Sequence, residues 1–291
     1  MIINLFVQPL PNEHLFSWLV RLYQHSGYAN FIYFQKQLGI EERFLKANKI
    51  FSVANEVLVC LLNDPKKAIS DNTVASLWML SLGQEYVPFE EFEHMNEQQL
   101  FGFDTSWHSC NKCRDEDIKN YGTSYWHSQH QLPSIFECYK HKRTLEHATV
   151  PIKNLYSEVL PHDVLQWQRV INNSNKDLEE WQSFLLKVYG LSLQCPQIIS
   201  GLKNRIIQIL KLDTSVMATR KAICDQLNPS FERSLGPVLL PYIFRDYSRQ
   251  TLRGKTNILA SMFANIHQTK GERNPVYWIA LAYWLRPKLE L

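Results

Sequence analysis

At 291 residues, with 45% hydrophobic and 20% charged side chains, the chain can bury a real core and is too polar to live in a membrane. Its longest apolar run, Val276 to Leu285, is about half of the roughly 20 residues that a bilayer crossing needs, and Met1 to Leu10 has neither a basic n-region nor a small-residue cleavage site, so a cytoplasmic protein is expected. The net charge of +3 hides an asymmetry: Ile199 to Leu291 carries 14 Lys and Arg against 6 Asp and Glu, a net +8 that suits a polyanion, while the rest is mildly acidic.

In chain order, the opening reads as a helix with Asn12 as N-cap, Leu15, Trp18, Leu19, Leu22 and Tyr23 on one apolar stripe, and Gly27 as the stop. A second helix runs from about Asn30 to Leu38 before Gly39, and Asp71-Asn72-Thr73 caps a third that carries Leu77, Trp78 and Leu80. From Gly102 to about His147 helical periodicity is lost, and His, Trp and candidate metal ligands accumulate. Helical spacing returns around His162 to Val170, then at Leu178, Trp181, Phe184, Leu185, Val188 and Tyr189, with Gly190 after the last turn. Further helices are expected at Ile199–Leu210, at Ser215–Leu227 with a stop at Asn228-Pro229, at Thr256–His267, and from Pro275 with Asn274 as N-cap. The fold class is therefore mainly α. Residues 1–101 form a helical part, 102–150 an inserted zinc-binding segment, 151–198 a helical connector, and 199–291 a basic, helix-turn-helix-like C-terminal domain.

Six cysteines in a reducing compartment read as metal ligands or core filling rather than as a disulfide framework. Cys60 and Cys224 sit in apolar patterns and Cys195 beside Pro196, so these three are expected to be core or turn residues. Cys110-Asn111-Lys112-Cys113 has the two-residue spacing that lets both thiolates reach one ion, and Cys138-Tyr139-Lys140-His141 supplies a second pair. Three thiolates and one imidazole close a tetrahedral zinc shell with no position for water, which makes the role structural. The 24 residues between the pairs exceed a C2H2 finger's loop, so this is not a base-reading finger. His108, His127, His130 and His147 are alternative nitrogen donors. Asp115, Glu116 and Asp117 are expected in the first turn of a short helix, where their charge favours its dipole.

Enzyme motifs are missing. Arg253-Gly254-Lys255-Thr256 ends like a P-loop, but Arg249 stands where the motif requires glycine. There is no G-x-S-x-G or H-E-x-x-H, and His14 and His25 read as surface histidines. No catalytic residue is expected.

The string Trp107-His108-Ser109-Cys110-Asn111-Lys112-Cys113, followed by Tyr121-Gly122-Thr123-Ser124-Tyr125-Trp126, Gln131-Leu132-Pro133 and Cys138-Tyr139-Lys140-His141, resembles the signature of the TnsD/TniQ family. Pro11-Asn12-Glu13 leading into Phe16-Ser17-Trp18-Leu19 and Arg21 is similar to that family's opening helix, and Asn274-Pro275 to Leu285 to its closing element. Two positions depart from the pattern: Lys142 replaces the glycine usual after the C-x-x-H, and a second C-x-x-C pair is missing, so one zinc is expected. The resemblance implies a non-enzymatic adaptor that selects transposition targets. At this length it implies the short form of CRISPR-associated transposons, without the C-terminal extension that reads a fixed site. Such an adaptor links an RNA-guided, Cascade-like effector and its guide RNA to the AAA+ regulator TnsC, and a homodimer is compatible with it. Lys203, Arg205, Arg220, Lys221, Arg245, Arg249, Arg253 and Lys255 would suit phosphate contact with guide RNA or target DNA. The alternative is a self-sufficient, site-specific DNA-binding target selector.

Overall fold

Apolar stripes at helical spacing account for most of the secondary structure in the computed structural model, which describes residues 7–39, 65–83, 106–152, 159–169, 175–244, 257–263 and 275–291. Two compact units result: Met1–Ala75 with Pro88–Asn173, and Ser76–Val87 with Ser174–Leu291. The chain is mainly α, as its periodicity predicts.

In the first unit, α1 (Leu15–Ser26) buries Leu15, Phe16, Trp18, Leu19 and Leu22, and ends at Gly27 with φ 73°, a left-handed cap for which glycine has no Cβ penalty. Its N-cap is His14, not Asn12: the amide of Phe16 donates to His14 Nδ1 at 3.1 Å. Asn12 instead takes a φ of 56° just before it, which Asn tolerates better than most residues. His14 is fully buried and edge-on to Trp107, correcting its reading as a surface residue, whereas His25 is exposed. α2 (Phe31–Gln37) starts where expected, with Asn30 Oδ1 accepting from the Tyr33 amide. α3 (Pro65–Asp71) ends in a turn where Asn72 O accepts from the Leu15 amide and ties the turn to α1.

The loss of helical periodicity after residue 102 marks a small sheet. β1 (Ser106–Ser109), β2 (Glu146–Ile152) and β3 (Trp167–Arg169) form an antiparallel sheet in that order, with His108 opposite His147 and Ala148 opposite Trp167. The expected helix at His162 to Val170 is thus a 3-10 turn, Pro161–Asp163, followed by β3. Between β1 and β2 lie α5 (Asn111–Tyr121), the 3-10 turn Ser128–Gln131 and a hairpin carrying Cys138 and His141.

In the second unit, Ala75–Leu77 (3-10) and α4 (Trp78–Leu82) lead to Gly83, and α6 (Lys176–Gln194) runs through Gly190, so the stop expected there moves to Cys195-Pro196. α7 (Pro196–Ile209) follows. α8 (Met217–Ile243) then passes through Asn228-Pro229 and breaks instead at Gly236 (φ 69°, ψ 178°), immediately before Pro237. A residue preceding proline is sterically driven out of the α region, and proline is well placed at the first position of a new helical run. α9 (Ile258–Phe263) and α10 (Pro275–Trp284) follow, then α11 (Arg286–Leu289). The apolar run Val276 to Leu285 is this unit's central helix. Buried on every side, it receives Trp181 and Phe184 against Tyr283, Phe231 against Trp284, Phe244 against Tyr277 and Phe263 against Trp278. Cys224 is buried as expected, while Cys60 and Asn274 lie outside the described residues.

Candidate metal centre

Each of the four candidate ligands is placed by a separate local device. Cys110 is the N-cap of α5, and Cys113 lies one turn into that helix, so the two-residue spacing turns both sulfurs to one side. Cys138 and His141 sit on a tight turn in which Lys142 N donates to Cys138 O (2.9 Å) and Cys138 N to Arg143 O (2.8 Å). Within the turn Lys142 adopts a φ of 50°, a conformation that suits glycine better. The ladder continues outward, with Glu137 bridged to Thr144 and Leu145 N donating to Phe136 O.

Together these devices bring Cys110, Cys113, Cys138 and His141 to one point, with all four ligand atoms within 4.8 Å of one another and the three thiols buried. His141 Nδ1 lies 3.6, 3.4 and 3.7 Å from the sulfurs of Cys110, Cys113 and Cys138, and the sulfurs of Cys113 and Cys138 are 3.7 Å apart. A tetrahedral ion with bonds of about 2.3 Å to sulfur requires ligand atoms roughly 3.8 Å apart, so the donor set fits a metal ion without rearrangement. Hydrogen bonds from Cys113 and Cys138 hold the Cys110 thiol far below its ordinary range, while the bond with Cys110, together with burial, pushes Cys113 and Cys138 up. Three thiol sulfurs and one imidazole nitrogen converging on one point make a donor set suited to a divalent cation.

Around the ligands runs a layer of polar contacts. His141 Nε2 donates to Glu116 Oε1 at 3.0 Å, and Glu116 also accepts from Lys140, the two contacts that keep its carboxyl below the usual range. Asp117 meets His127 at 2.9 Å. Arg114 donates to Glu146 at 2.6 Å and lies over the Trp167 ring at 4.0 Å, tying α5 to β2 and β3. The acidic trio is therefore in the second turn of α5 and not the first, and two of its members pair with histidines instead of serving the dipole. Of the alternative donors, only His130 approaches a ligand, with Nε2 4.0 Å from Cys113 Sγ; burial holds it well below the ordinary histidine range. His127 is committed to Asp117, and His108 and His147 face each other across β1 and β2.

The other motif residues bind the opening of the chain to the metal segment. Gln131 imitates a strand, with Nε2 donating to His108 O (2.7 Å) and Oε1 accepting from His108 N (3.1 Å). Tyr125 donates to Pro11 O, the Trp126 amide donates to Ser17 Oγ, and the amides of His14 and Ser128 donate to Trp126 O and Asn12 O. Trp126 stacks on Trp107 with centroids 4.8 Å apart. Glu13 forms a buried pair with Arg21 at 2.6 Å; burial pushes its carboxyl upward, and Arg21 opposes that shift. Sequence reading missed Glu116, Gln131 and Ser17 as supports. A signal existed for Glu116, which stands three residues after Cys113 and so on the same helical face.

The eight candidate phosphate-contacting residues separate. Arg205 and Lys221 are exposed. Lys203 is half-buried, donating to Ser81 O and lying over Trp278, and Arg220 is buried and donates to Thr214 O. Arg245, Arg249, Arg253 and Lys255 lie outside the described residues. Among the described residues no helix is long and apolar enough to cross a membrane.

Residues 4–145 match the protein-family model described as TniQ, a span that takes in the opening helix and all four candidate ligands. No curated protein and no solved structure matches the chain.

Proposed function

Because the chain belongs to the TniQ family through residues 4–145, and so to the proteins that select targets for transposition, we propose that it is a non-enzymatic adaptor whose metal segment is a scaffold. The observation that carries this reading is the coincidence of the matched span with the complete Cys3His donor set. The ion we propose is zinc, one per chain. Its preference for four sulfur and nitrogen donors suits three buried thiols and an imidazole, and a shell filled by protein leaves no position for a reacting water. Its contribution is to join the α5 N-terminus to the Cys138–His141 hairpin, adding binding free energy to that of the apolar residues buried beside it, such as Trp107, Trp126 and Leu145.

The adaptor's partners are the transposition machinery and target DNA; more specifically, we propose an RNA-guided, Cascade-like effector on one side and the AAA+ regulator TnsC on the other. A basic 199–291 segment, which we read as helix-turn-helix-like, would add salt-sensitive phosphate contacts without reading sequence. Copurification tests this directly. The chain expressed with effector and ATPase should elute with both, and elution with neither would count decisively against the adaptor. Competition binding separates the alternative: a self-sufficient selector would prefer its site over random DNA by a factor on the order of 10³ or more. The adaptor predicts no such preference. Metal analysis of freshly purified protein should give close to one zinc per chain.

A further inference from the structure

Glu116 is the residue whose placement the scaffold role does not by itself explain. It is partly exposed on α5, one turn after Cys113, and its carboxylate reaches the hairpin, meeting His141 Nε2 at 3.0 Å. His141 presents Nδ1 to the three sulfurs, at 3.4 to 3.7 Å. An imidazole that gives Nδ1 to a metal must carry its proton on Nε2, and the acceptor for that proton fixes both tautomer and ring direction. The His141 side chain is only 15% exposed, so the bond is partly shielded from competing water.

We infer that Glu116 is a positioning residue for the metal: its carboxylate orients His141 as the fourth ligand and so sets how tightly the ion is held. The inference rests on the proposed Cys3His metal site. Lys140, which also pairs with Glu116, is 54% exposed, so it balances charge at the surface. Glu116 therefore acts through one hydrogen bond, connecting the helix that carries two thiolates to the hairpin that carries the remaining ligands.

The test is competition between the full-length protein and a chromogenic chelator for Zn²⁺, with Co²⁺ spectra recorded in parallel to report the ligand set. Glu116→Ala should weaken Zn²⁺ binding by about 10- to 100-fold while keeping the cobalt spectrum of three thiolates and one imidazole. In ¹H–¹⁵N spectra its His141 Nε2–H should exchange with solvent faster than in the wild type. Glu116→Gln keeps an acceptor oxygen and should bind within about threefold of the wild type. Lys140→Ala should do the same. Alanine is the best helix former, so the Glu116→Ala helix should persist; were it to fail to fold, Glu116→Leu, another good helix former without an acceptor oxygen, should show the same loss of about 10- to 100-fold, and wild-type affinity there would overturn the inference. Wild-type affinity in Glu116→Ala overturns the inference alone, as does a weakening in Glu116→Gln or Lys140→Ala as large as that expected for Glu116→Ala. A wild-type protein that gives no cobalt charge-transfer band overturns the metal reading, and this inference with it.

Discussion

Lys142 holds a φ of 50° immediately after the last ligand. For a residue with a Cβ the left-handed region costs about 1–2 kcal/mol, and glycine at the same place gives back about 0.5–1 kcal/mol through the freedom it has in the unfolded chain. Lys142→Gly should therefore stabilise the protein by roughly 0.5–1 kcal/mol, read as a rise in the urea midpoint at unchanged slope. No change, or a fall, would mean that the lysine side chain supplies a compensating interaction. The ligands themselves were legible because two C-x-x-X spacings fix their chemistry whatever surrounds them. His14 was not legible. A lone histidine beside Asn12 looks like a solvated residue, and only the arrival of Trp107, 93 positions further on, makes it a buried cap. Glu116 and Gln131 were hidden for the same reason: their partners, His141 and His108, become neighbours only once the sheet and hairpin exist.

Long helices declared themselves by their apolar stripes, and short strands did not. β1 has four residues and β3 three, too few for alternation to register, and in β3 the one large apolar side chain, Trp167, fits either period. Proline misled in the opposite direction. Asn228-Pro229 read as a stop, yet α8 continues across it, with Asn228 Oδ1 accepting from the Leu259 amide and its Nδ2 donating to Glu232. The actual break is at Gly236, whose ψ of 178° at a φ of 69° belongs to a region essentially reserved for glycine. A Cβ there would meet nothing closer than Asp177 Oδ2 at 3.9 Å, so the obstacle is conformational and not steric. Gly236→Ala should cost about 1–3 kcal/mol with little change in far-UV circular dichroism. Full stability in that variant would show that the backbone can straighten or shift its break at no cost.

At the scale of the whole molecule, charge and burial have to be considered together. The net +8 of residues 199–291 suggested one basic face, but a charge contributes to a polyanion's binding only where the polyanion can reach it. Arg220 donates inward to Thr214 O and Lys203 to Ser81 O, so each is engaged in holding its own unit, whereas Arg205 and Lys221 stand exposed. Composition cannot separate these two groups, since helical position alone decides which side a lysine or arginine takes. The distinction yields opposite expectations for similar substitutions. Arg205→Ala combined with Lys221→Ala should leave thermal stability within about 0.5 kcal/mol, as surface changes usually do. If both residues neutralise phosphates, the slope of log Kobs against log salt for duplex DNA should shallow by up to about 1.8, or about 0.9 for each phosphate left without its cation. Arg220→Ala should do the reverse, lowering the melting temperature by removing a buried, charge-assisted bond worth about 1.5–3 kcal/mol while leaving the salt slope of the folded protein unchanged. An unchanged slope in the double variant, with measurable binding retained, would place the nucleic-acid interface away from α7 and α8.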